Sequence, residues 1–132
     1  MSKEQIPVEQ VVRACFEAYS KRDRKAIESL IADDFRFTSP LDNQIDRNAY
    51  FETCWPGSES LVVMTLQHLA VFDGDKAYVT YEALRRDGQR FRNTELHTVK
   101  GGQLSQVEVY FGWNIPHEVP AGTHRAAETP AA

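Results

Sequence analysis

Asn93, Glu95 and His97 occupy every second position of a run, FRNTELHTV, that reads as a strand. Strand alternation sends them to one face, together with Phe91 and Val99. An amide, a carboxyl and an imidazole are poor company for a buried apolar face. Each costs about 1–3 kcal/mol there without a partner. Pointing inward, they line a pocket. Glu95 would act in it as a neutral donor or as an acid/base group. His97, about 7 Å further along the strand, would bracket a ligand with Glu95 or bond to it through water. Asn93 either orients a ligand carbonyl or pairs with Glu95, the pairing being the simpler. The plain alternatives are a carboxylate tied to an Arg or Tyr and an imidazole satisfied in the core.

Five aromatic residues are candidates for the pocket wall: Tyr19, Trp55, Phe91, Phe111 and Trp113. Ordinary core packing competes with that role for most of them. On the last strand Val107, Val109 and Phe111 share one face, which should line the pocket. Glu108 and Tyr110 share the other. Metal binding is not expected: His68, His117 and His124 lack ligand spacing, and Cys15 and Cys54 fit neither a zinc nor a redox motif. No cofactor is called for.

The elements that must hold these groups follow from periodicity. Val8, Val11, Val12, Cys15, Phe16 and Tyr19 form one stripe of a helix from about Pro7 to Lys21. Asp23 caps a short second helix, expected to run to Asp33-Asp34, and Asp46 caps a third that groups Tyr50, Phe51, Cys54 and Trp55. Phe35–Thr38 reads as a short strand and Ser39–Asn43 as a loop. Runs from Leu61, Ala77, Arg90 and Leu104, separated by Gly-containing turns, predict a four-stranded antiparallel meander. Three helices before such a sheet give an α+β fold, with a curved sheet wrapped around the helices and a cone-shaped hollow between them.

The chain has 132 residues, 42% hydrophobic and 26% charged, the make-up of one ordinary globular domain. Residues 1–115 are expected to form that domain and 116–132 a flexible tail. A net charge of −4 argues against nucleic acid, whose binders carry a basic face. The run Lys21-Arg22-Asp23-Arg24-Lys25 reads as a solvated helix junction, and Arg85-Arg86 as a solvated turn. No run is apolar enough to span a membrane, and Met1–Pro7 is polar, so a cytoplasmic location is expected.

Two stretches, VVRACFEAYSKRDRKAIESLIADDFRFTSP and GGQLSQVEVYFG, resemble the nuclear transport factor 2-like superfamily, within it the SnoaL-like and ketosteroid isomerase-like proteins. The resemblance implies a cystatin-like, cone-shaped fold. It also implies a small, largely apolar ligand and proton-transfer chemistry of the isomerase, dehydratase or cyclase type. The alternative within the same fold is a non-catalytic small-molecule-binding protein. The isomerase pattern places a carboxylate base at what is Ser39 here, an oxyanion-hole tyrosine at Cys15 and an oxyanion-hole acid at Glu95. Only Glu95 keeps its chemistry, because an unactivated serine hydroxyl is a poor base. True steroid isomerase activity is therefore not implied. Asp42 and Tyr19 are the substitutes, as a carboxylate on the same loop and a phenol one turn on. The resemblance also implies a homodimer through the outer sheet face, where Thr94, Leu96, Thr98 and Tyr110 lie.

Overall fold

In the computed structural model, which describes residues 6–126, the chain forms three α-helices and one sheet. Helix α1 spans Val8–Lys21 and buries Val11, Val12, Cys15, Phe16 and Ala18. Arg22 ends it in the left-handed conformation (φ 53°). The predicted caps form: Asp23 accepts from the Ala26 N–H at 3.1 Å and opens α2, Arg24–Leu30. Asp46 accepts from the Ala49 N–H at 2.9 Å and opens α3, Arg47–Thr53. A 3₁₀ segment, Trp55–Ser60, follows.

The sheet corrects the four-stranded expectation. Its strands are β1 (Ile31–Ser39), β2 (Asp42–Ile45), β3 (Leu61–Phe72), β4 (Lys76–Arg85), β5 (Arg90–Lys100) and β6 (Gln103–Ile115). They lie in the order β2-β1-β6-β5-β4-β3. The predicted meander is there as β3 to β6. Outside it, β1 runs parallel to β6, and β2 pairs antiparallel with β1. The second helix therefore stops at Leu30, not at Asp33-Asp34, because Ile31 already pairs opposite Leu104. The expected loop at Ser39–Asn43 shrinks to a turn at Pro40-Leu41, with Ser39 opposite Asp42.

Irregularities in β3 and between β5 and β6 bend the sheet. At the sharpest, Arg92 faces Trp113 and Asn93 faces Phe111, leaving Gly112 unpaired. A Cβ on Gly112 would sit 2.0 Å from the Arg92 carbonyl oxygen, so glycine is the residue that fits there. The bent sheet wraps the helices. Val11, Val12, Ile27, Ile31, Phe35, Val79 and Val107 fill the narrow end. Residues 116–126 carry no helix or strand. The rest of the expected tail, residues 127–132, lies outside the described residues. Among the described residues no helix is long and apolar enough to cross a membrane.

Candidate functional site

Antiparallel pairing stacks the inward residues of β4, β5 and β6 in rows. From the narrow end outward these are Ala77–His97–Val107, Val79–Glu95–Val109 and Tyr81–Asn93–Phe111. The β5 and β6 members of these rows, with Tyr81, line a cavity of about 290 Å³, bounded on its other sides by α1, β1, α3 and the 3₁₀ segment. That volume suits a small molecule. Exposure along β6 rises from 3% at Leu104 and 4% at Val107 to 55% at Phe111, which marks the mouth.

Glu95 and His97 both face this cavity. His97 Nε2 lies 2.8 Å from Glu95 Oε1, a direct contact rather than the expected bracket or water bridge. The side chains are 3% and 14% exposed. The Phe16 ring stacks flat on the imidazole, 5.6 Å between centroids and 9° between planes. His97 Nδ1 is buried without a partner.

Phenols gather around this pair. Tyr19 and Tyr50, from α1 and α3, share a short hydroxyl–hydroxyl hydrogen bond. Tyr81 accepts from Asn93 Nδ2 at 3.3 Å. Burial pushes all three phenols up, and the Glu95 carboxylate adds to the rise of each. Burial, with Glu95 second, pushes the Cys15 thiol up to about 12. Three phenols and a thiol that keep their protons therefore line the same cavity as Glu95.

Asn93 does not pair with Glu95, a correction. Its Nδ2 donates to Tyr81, and its Oδ1 accepts the Gly112 N–H at 3.1 Å. That second bond holds the bulge and leaves the other Nδ2 hydrogen without a protein acceptor among the described residues. Ser39 and Asp42 line the opposite wall, where Ser39 Oγ donates to Asp42 Oδ2 at 2.7 Å. Tyr19, Phe91 and Phe111 also line the cavity.

Neither tryptophan lines the cone itself. Trp55 packs edge-on against Tyr19 at 4.9 Å and buttresses that ring from outside the cavity lining. Trp113 faces Arg92 across the bulge, is 52% exposed and lines a neighbouring hollow with Phe111 rather than the cone itself. Cys54, read as a buried hydrophobe, is half-buried at the cavity edge. Arg85, read as part of a solvated turn, lines the mouth. Tyr50, Tyr81 and Arg85 were not singled out for the site. Tyr81 and Arg85 had a signal, since they continue the inward series Ala77, Val79. Among the described residues no three His, Cys, Asp or Glu side chains gather as a metal site.

Residues 12–107 match the SnoaL-like domain family. No curated protein sequence matches the chain. Similar solved structures include a protein from Kribbella flavida provisionally named as a ketosteroid isomerase. It is 22% identical, covers 94% of this chain and 90% of its own, and has a TM-score of 0.69. Another, from Sinorhizobium meliloti, is provisionally named as a polyketide cyclase. Its values are 22% identity, 83% and 99% coverage, and a TM-score of 0.67. A third is a nuclear transport factor 2-like protein of unknown function from Cytophaga hutchinsonii, 16% identical, covering 82% and 92%, with a TM-score of 0.67. At these identities the likeness is one of fold.

Proposed function

This chain belongs to the SnoaL-like domain family, and from that premise we propose that its cone binds a small, largely apolar molecule and moves a proton on it. One observation carries this reading: Glu95, 2.8 Å from His97, sits in a largely apolar cavity with phenols whose protons burial retains. A carbonyl entering that cavity would accept hydrogen bonds from Tyr19 or Tyr50. Those donors favour the enolate over the ketone, because negative charge develops on the oxygen they touch. The Glu95 carboxylate takes the proton from the adjacent carbon, and His97 Nε2 positions the carboxyl and shares its proton. Asp42 is the second acid/base candidate, from the opposite wall.

The test needs no natural substrate. An apolar cyclic ketone in heavy water exchanges its α-protons, and NMR follows the rate. The protein should accelerate exchange above buffer, and Glu95→Gln should remove about 99% of that acceleration while leaving ketone affinity within a few-fold. Acceleration untouched by Glu95→Gln removes Glu95 from the chemistry.

Ser39, where the resemblance places a base, favours the second reading, a non-catalytic carrier of the same ligand class. Saturable binding with no faster exchange supports it. We further propose a homodimer through the outer sheet face, where Tyr78 lies opposite Leu96 and Thr94 opposite Tyr110. The solution mass tests that proposal.

A further inference from the structure

On β4 the inward residues Ala77, Val79, Tyr81 and Ala83 are 0–4% exposed. The next in that series is Arg85, a cation on the inner face at the mouth. Its guanidinium lies 4.7 Å from the centre of the Phe91 ring, and its Nη1 donates to Ser60 Oγ at 3.0 Å. Those two contacts fix the group while using one nitrogen. Among the described residues Arg85 enters no ion pair, and Nε and Nη2 donate to no protein group. These two nitrogens share one edge of the guanidinium, the fork that matches two oxygens of a carboxylate.

Arg85 also borders a second cavity of about 220 Å³. The two hollows share Arg85, Phe91, Asn93 and Phe111. Their linings differ. The cone is walled mostly by aliphatic and aromatic side chains, with Glu95 and His97 deep inside and Ser39 and Asp42 on the opposite wall. The outer hollow is edged by Gln89 and Asn114, whose amides bond to each other at 3.3 Å. A guanidinium stands at the junction. The arrangement suits a molecule with two unlike ends.

We infer that the ligand of this cone is a monocarboxylate, its apolar body in the cone and its carboxylate on the Nε/Nη2 edge of Arg85. The inference rests on the small-molecule reading of the cone and adds the charge of the ligand and the place of its head group. One guanidinium balances one negative charge, and a chain of net charge −4 offers little general attraction to a more highly charged anion.

Calorimetric titration of the full chain with phenylbutanoate and with its uncharged amide, phenylbutanamide, tests it. The wild type should bind the acid about tenfold more tightly than the amide. Arg85→Gln should level the two by weakening the acid alone. Arg85→Lys keeps the charge without the fork, and its preference should fall between; it also serves if the glutamine variant does not fold. Equal affinities in the wild type overturn the inference and leave the apolar cone standing. A preference that survives Arg85→Gln also overturns it. Binding of neither compound removes the cone reading and the inference together.

Discussion

The two faces of the sheet are made from the same strands and do opposite work. Inside, β4 presents Ala77, Val79, Tyr81 and Ala83, all 4% exposed or less. Glu95 and His97 bond to each other there, and Asn93 bonds to Tyr81. Outside, the alternate residues of the same strands make an ordinary half-wet surface. Tyr78 is 45% exposed, Thr80 and Thr94 bond through their hydroxyls at 2.7 Å, and Arg92 pairs with Glu82 at 3.0 Å. Tyr110 donates to Glu108 at 2.7 Å. A one-residue step along a strand exchanges a group held in a low-dielectric hollow for one that water screens. The closely packed residues and the cavity lining are on the inner face, and the outer face stays half-exposed.

The largest separation between the faces should appear in stability. Phe35 is 1% exposed and packs edge-on against Tyr50 at 5.1 Å. Phe35→Ala removes a full ring from the narrow end and should cost about 3–5 kcal/mol in urea unfolding. On the outer face Tyr78 stacks on Phe72 at 5.0 Å, but water already reaches it. Tyr78→Ala should cost less than about 1 kcal/mol. Equal losses would break the comparison at its base.

A smaller effect follows from the buried acids. Burial raises Cys15 from the ordinary thiol value of 9.0 to about 12, and it raises Tyr19, Tyr50 and Tyr81 in the same direction. The folded state keeps protons that the unfolded chain releases. Their contribution is whole below pH 9 and is lost as pH rises toward 12, at up to about 1.4 kcal/mol per pH unit for each group. Unfolding free energy should therefore fall by about 2–3 kcal/mol between neutral pH and pH 10. Tyr110 is also raised, by its hydrogen bond to Glu108 and then by that carboxylate's charge, but it stands in water. Tyr110→Phe should leave the alkaline slope unchanged, whereas Cys15→Ala should flatten it. A slope that follows Tyr110 instead would reverse the assignment of the faces.

Much of this inner face could be read from residue spacing, and the failures have physical causes. Asn93, Glu95 and His97 lie in a part of β5 that pairs regularly with β4, so simple alternation holds. The same rule does not carry to Trp113, which borders the neighbouring hollow instead of the cone, because one extra residue, Gly112, shifts the phase. A glycine in the middle of a strand was the available warning. Periodicity overextends the second helix because Ile31 fits both a helical stripe and a strand, and its parallel partner Leu104 is distant in sequence. The phenol pair was hidden for a similar reason: Tyr19 and Tyr50 meet across 31 residues, and no local pattern links them. Arg85 escapes a local reading because a dibasic pair beside a turn normally points to solvent.

The smallest effect is the one that tests whether the faces are independent. Leu96 sits outside, with Tyr78 on one side and Glu108 on the other. If two copies pair there, light scattering should give twice the chain mass of 15.0 kDa. Leu96→Lys should then return it to 15.0 kDa, because a buried ammonium without a partner is costly at an interface. Phenylbutanoate affinity should change by less than about twofold, since the cavity is lined from the opposite face of the same strands. A wild-type mass of one chain would remove the dimer. Loss of ligand together with the partner would mean that the second copy holds the bend of the sheet. The hollow would then belong to the pair of chains, because the curvature that opens it would not survive in one chain alone.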